Sequence, residues 1–143
     1  MKLRIVAMVL ALFSLSGCRA NDAPVTGIIF QRGHGSAWGN QFSVEVNGTE
    51  IVTAEYLENG ELVTVTHVPI SEARWQSICA LIEQLPLEKA RSDIWDKHKL
   101  DGGEFRKLTL VQGTTKTEYR WPDTAEAEQL EQLLEALVRA PQS

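Results

Sequence analysis

Within RGHGSAWGN, residues 32–40, an imidazole and a hydroxyl lie two residues apart, His34 and Ser36, with Gly33 and Gly35 flanking the histidine. A base beside a hydroxyl is the minimum for acyl transfer. The chemistry also needs a carboxylate behind the imidazole and a placed oxyanion hole. The nucleophile-elbow pattern G-x-S-x-G is missing here. The glycines match neither phosphate-cradling pattern, since no G-x-x-x-x-G-K follows and no helix opens after them. Catalysis is therefore not expected, and the chain reads as a non-enzyme. Three glycines and Asn40 make the stretch a loop. Its side chains Arg32, His34, Ser36 and Trp38 form a candidate binding loop, with Trp38 as an aromatic anchor. A plain connecting loop is the competing reading.

Metal chemistry finds no better footing. His34, His67 and His98 are scattered, each without a second ligand at helix or hairpin spacing. The densest cluster is DIWDKHKLD, residues 93–101, with Asp93, Asp96, His98 and Asp101. Lys97 and Lys99 intrude on it, so a solvated loop is expected there, with Trp95 turned to the core. No metal and no cofactor are expected. Of the four tryptophans, Trp75 and Trp121 fall on expected core faces, and Trp38 and Trp95 are too few to carry a sugar-stacking site.

One further residue type has strong chemistry in its setting. Lys2 and Arg4 precede an apolar run from Ile5 to Leu15, broken only by Ser14, which ends at Leu15-Ser16-Gly17-Cys18. A helix rises about 1.5 Å per residue, so the run reaches about half the ~30 Å hydrocarbon thickness. Charge, short apolar run and small residues make a secretory signal peptide. The four residues 15–18 resemble the lipobox of bacterial lipoproteins. That resemblance implies cleavage between Gly17 and Cys18, a thioether-linked diacylglycerol on the Cys18 sulfur, and an acyl chain such as palmitate on its new amino group. Two or three chains anchor durably where one does not. Arg19 stands where, by the enterobacterial sorting rule, an Asp would retain the protein at the inner membrane. The resemblance thus implies the outer membrane of the bacterial envelope, with the domain facing the periplasm.

The expected organisation is a signal peptide at 1–17, a lipidated tether at 18–24 reaching at most about 20 Å, and one domain at 25–143. With Cys18 lipidated, Cys79 has no cysteine left to pair with. The whole chain carries a net charge of −5. Losing Lys2 and Arg4 leaves the mature chain at about −7, which argues against nucleic acid as a partner. The expected role is a non-enzymatic binding or accessory module, its partner a protein or cell-wall component. A second expectation is an inhibitor or immunity-type lipoprotein that plugs a basic site on a periplasmic hydrolase or toxin.

Alternation and turn signals set the elements. Strands are expected over 25–31, 41–47, 49–57 and 61–68, with turns at Asn47-Gly48 and Asn59-Gly60. A two-residue turn at Asn59-Gly60 pairs Glu58 with Glu61, Tyr56 with Val63 and Ala54 with Val65. Val52 then shares their buried face. Ser71 can cap a helix to about Leu85, with Trp75, Ile78, Cys79, Ile82 and Leu85 on one face. Cys79 reads there as a small buried hydrophobe. A hairpin over 105–111 and 115–121 places Leu108, Leu110, Thr117, Tyr119 and Trp121 on one side. The last helix starts at an Asp123 cap, with Glu126 completing a capping box. Its stripe is Leu130, Leu133, Leu134, Leu137 and Val138. The fold class is α+β: an antiparallel meander with two amphipathic helices packed on one face, in the order strands, helix, hairpin, helix.

Overall fold

The computed structural model describes residues 18–20, 23–34, 41–89 and 104–139. The apolar leader with Gly17, the loop residues Ser36 and Trp38, and the 93–101 cluster with Trp95 and His98 lie outside these. In chain order the elements are β1 (Cys18–Ala20), β2 (Ala23–Val25), β3 (Gly27–His34), β4 (Phe42–Asn47), β5 (Glu50–Glu58), β6 (Glu61–Pro69), α1 (Glu72–Glu83), β7 (Glu88–Lys89), β8 (Glu104–Gln112), β9 (Thr115–Arg120) and α2 (Ala125–Arg139). The class is α+β. Seven strands form one antiparallel sheet in the order β6-β5-β4-β3-β8-β9-β7. β3 to β6 meander outward from the centre. β8 then closes on the free side of β3, pairing Ile28 with Leu110 and Phe30 with Leu108.

Turn chemistry fixes the registers. Asn59 and Gly60 both take positive φ, 53° and 83°, the conformation a two-residue hairpin turn needs and that Asn and Gly tolerate best. The pairs Glu58–Glu61, Tyr56–Val63 and Ala54–Val65 follow, as the sequence predicts. At the other turn the Asn47 carboxamide oxygen accepts from Thr49 N, Thr49 Oγ1 and Glu50 N, all at 2.9 Å. Gly113 turns the second hairpin at φ 67°.

Alternation then sorts side chains by face. Ile28, Phe30, Phe42, Val44, Val46, Ala54, Leu108 and Leu110 are essentially buried and join one core with both helices. The α1 face is Trp75, Ile78, Cys79 and Ile82, with Leu85 just beyond. From α2 come Ala127, Leu130, Leu134, Leu137 and Val138. Phe30 sits at the centre, its ring 4.6 Å from Trp121 and 5.8 Å from Phe42.

Four expectations need correction. Val52 is not fully buried: Ile51 is, at 0 % exposure. A bulge shifts the β4–β5 register at Glu45/Val46, and His67, opposite on β6, takes φ 53°. The extra residue resets the parity and turns Ile51 and Val68 inward. The α2 cap is Thr124 and not Asp123, because the Thr124 hydroxyl accepts from Ala127 N at 3.2 Å. Glu126 therefore falls one position short of a capping box. The stretch expected as an extended tether is paired backbone, Cys18 opposite Val25 and Ala20 opposite Ala23. Finally β3 does not stop at Gln31. It runs on through Arg32, Gly33 and His34, which glycine content assigns to the loop.

Candidate functional site

The extension of β3 changes what Arg32 is. Its backbone pairs with Phe42 on β4 and Arg106 on β8. By parity its side chain joins Ile28 and Phe30 on the helix-covered face, at the end of the sheet where the 35–40 segment begins. Two arginines directly opposite on one face repel. The last helix supplies the answer. Glu131 Oε1 accepts from Arg32 Nη1 at 2.7 Å, and both Glu131 oxygens lie against Arg106 Nε, at 3.2 and 3.1 Å. Glu135, one turn on, also pairs with Arg32. The Arg32 guanidinium lies 5.4 Å from the centre of the Phe42 ring.

Glu131 is only 8 % exposed. A carboxylate so placed costs several kcal/mol to desolvate unless it is paired and hydrogen-bonded, and here two guanidinium groups meet it. For Arg32, burial alone would lower the pKa. The hydrogen bonds and charges of Glu131 and Glu135 outweigh that effect and hold the pKa above its ordinary value, so Arg32 is a permanent cation. Chemically the cluster is a clamp. Two cations and two carboxylates neutralise each other and fasten α2 to the strand that leads into the glycine-rich segment.

Of the loop candidates, Arg32 is thus a strand residue engaged with α2. The backbone of His34 ends β3 opposite Glu104. Glu131, Glu135 and Arg106 were missed at the sequence level. A signal for Glu131 existed: it lies four residues after Ala127 and three before Leu134, on the stripe that packs inward. Arg139, in the last turn of α2, lies over the Tyr56 ring at 4.8 Å from its centre.

Elsewhere, Cys79 is a buried thiol at 3 % exposure on the α1 face. His67 is an edge residue whose Nδ1 lies 3.4 Å from Glu50 Oε1. Among the described residues no three His, Cys, Asp or Glu side chains are grouped to hold a metal ion, and no helix is long and apolar enough to cross a membrane. No family model matches the chain, no curated protein matches it, and no solved structure matches it.

Proposed function

We propose that this chain is a lipid-anchored envelope protein whose α+β domain is a non-enzymatic binding or accessory module held at the periplasmic face of the outer membrane. The observation that carries it is the amino-terminal run: Lys2 and Arg4, the apolar Ile5–Leu15, and Leu15-Ser16-Gly17-Cys18. Lipid on Cys18 turns a secreted domain into one anchored to the bilayer without spanning it. The β1–β2 pair is compatible with this. Cys18 stands opposite Val25, and Val25 belongs to the core, so the anchored residue sits where the domain begins. The binding face of the module is the part of the glycine-rich segment that follows β3, residues 35–40 with Ser36 and Trp38. It departs from a strand end clamped to α2, and a rigid base under a recognition loop lowers the ordering cost of binding.

The test is the sulfur. Cells supplied with radioactive palmitate should label the wild-type chain and leave Cys18→Ala unlabelled and uncleaved. Label persisting in Cys18→Ala, or a wild-type mass equal to the bare polypeptide, sinks the anchor. For the binding face, a photocrosslinking residue at position 38 should capture a protein or cell-wall fragment in intact cells. Trp38→Ala should weaken that interaction without altering the melting temperature.

A further inference from the structure

β3 joins two ends of the sheet. Gly27 starts the strand, two residues after Val25; His34 closes it, and the 35–40 segment follows. The strand has 8 residues, so its ends stand about 23 Å apart, at roughly 3.3 Å per residue. The registers assign each turn to an end. Gly27 lies opposite Asn47 on β4 and Val111 on β8, so the Asn47-Gly48 turn and the Gly113 turn are at the Gly27 end. Arg32 lies opposite Phe42, and Phe42 opposite Tyr56, which puts the Asn59-Gly60 turn at the far end.

The β1–β2 hairpin belongs to the Gly27 end. Gln112 Nε2 donates to Ala23 O at 3.3 Å, and Thr26 N donates to Val111 O at 2.8 Å. β1 lies against α1, whose Trp75 indole lies against Gly48. Asn21 and Asp22 alone separate β1 from β2, so Ala20–Ala23 and Cys18–Val25 are the hydrogen-bonded pairs and Arg19–Pro24 is not. Proline, with no N–H to give, stands where the N–H would turn away from β1. Thr26, of the same parity, turns its N–H to β8, as this alternation requires.

Charge also separates the ends. The turns Asn47-Gly48-Thr49 and Gln112-Gly113-Thr114-Thr115 carry none, and Lys116 follows the second. Carboxylates border this end at Glu50, held 3.4 Å from His67 Nδ1, and at Glu72 in the first turn of α1. At the far end the turn itself is Glu58-Asn59-Gly60-Glu61.

We propose that the Gly27 end of the sheet is a bilayer-facing surface: lipid on Cys18 stands the domain on the headgroups, with the strands rising away from them. The orientation rests on the Cys18 anchor proposed above. It follows from the pairing, because the lipidated residue is fixed to the core through Val25 and does not hang from a loose tether. An acidic chain is repelled by anionic headgroups. The Debye length is about 8 Å at physiological salt, so the Glu58 and Glu61 carboxylates at the far end are screened and the headgroups meet the uncharged turns. The 35–40 segment leaves β3 at the end turned away from the membrane.

Single-cysteine variants of the full chain test this: Thr49→Cys and Thr114→Cys at the Gly27 end, Gln41→Cys and Glu61→Cys at the far end, all at exposed positions. Cys79 is buried and Cys18 carries the lipid, so a thiol-reactive fluorophore takes the introduced site. Each variant is purified in its lipidated form and placed in vesicles of phosphatidylethanolamine and phosphatidylglycerol that carry a nitroxide quencher on the headgroups. Quenching should be several-fold stronger at positions 49 and 114 than at 41 and 61. A glycine–serine spacer inserted between Ala20 and Asn21 should erase that contrast while the chain still floats with the vesicles. Equal quenching at both ends, or stronger quenching at the far end, overturns the orientation and leaves the anchor standing. A contrast unchanged by the spacer overturns the paired anchor as its cause. A chain that fails to float with the vesicles overturns the anchor itself, and the orientation with it.

Discussion

Phe30 and Gln31 are neighbours on one strand and live in different solvents. Phe30 is fully buried between the sheet and the helices, against Phe42 and Trp121. Gln31 faces the side the two helices leave uncovered, in a row with Ser43 and Glu55 across β4 and β5 and Lys107 on β8. The same contrast repeats at Leu108 and Lys107. Leu108 is buried, whereas Lys107 reaches across the surface to Glu118 at 2.9 Å. Among the described residues Glu131 is the one charged side chain that is buried, on the covered face, and two arginines answer it. On the other face the Lys107–Glu118 pair is partly exposed, 22 % and 54 % by side chain, and needs no such arrangement. Dielectric, more than residue type, decides what a charge must bring with it.

Substitutions along these strands grade that contrast. Phe30→Ala should cost about 4 kcal/mol, the upper range for truncating a buried aromatic, read as a fall in the urea midpoint. If it costs under ~1 kcal/mol, the covered face is not the core. Glu131→Ala removes the carboxylate that Arg32 and Arg106 share, leaving Arg32 paired with Glu135, and should cost about 2 kcal/mol, the range for hydrogen bonds to charged groups. Replacing Glu131 together with Arg32 and Arg106 by apolar residues should recover much of that loss, which separates a charge penalty from lost packing. The cap comes next: Thr124→Ala should lower stability by about 1 kcal/mol, while Asp123→Ala changes it by a few tenths; the reverse order would restore Asp123 as the cap. Smallest of all, Lys107→Ala removes a surface pair worth at most about 0.5–1 kcal/mol, and its effect should shrink further in high salt.

What could be read from sequence divides along similar lines. The registers around Asn59-Gly60 and the buried faces of α1 and α2 follow from local rules, a turn that demands positive φ and periods of 2 and 3.6 residues. Three features depended on distant chain and were not legible. Strand β3 continues through Gly33 because β8 pairs with it on the far side, an option that composition cannot reveal. Glu131 is buried because Arg32, 99 residues away, reaches it. Ile51 displaces Val52 from the core because a bulge adjusts the strand. Of the candidate loop, Arg32 was singled out, but as a recognition side chain. Its partners show that its charge is engaged within the fold.

The central strand also dictates an order of events. β3 meets β4 early, through a short connection. It meets β8 only after most of the chain is available: Thr26 bonds Val111, 85 residues along. Long-range closure is the slow, entropically costly part of folding. Until β8 docks, Ile28 and Phe30 have no neighbour on that flank and α2 has no complete platform. The nascent meander is therefore incomplete by construction, and a chain truncated before residue 104 should stay unfolded.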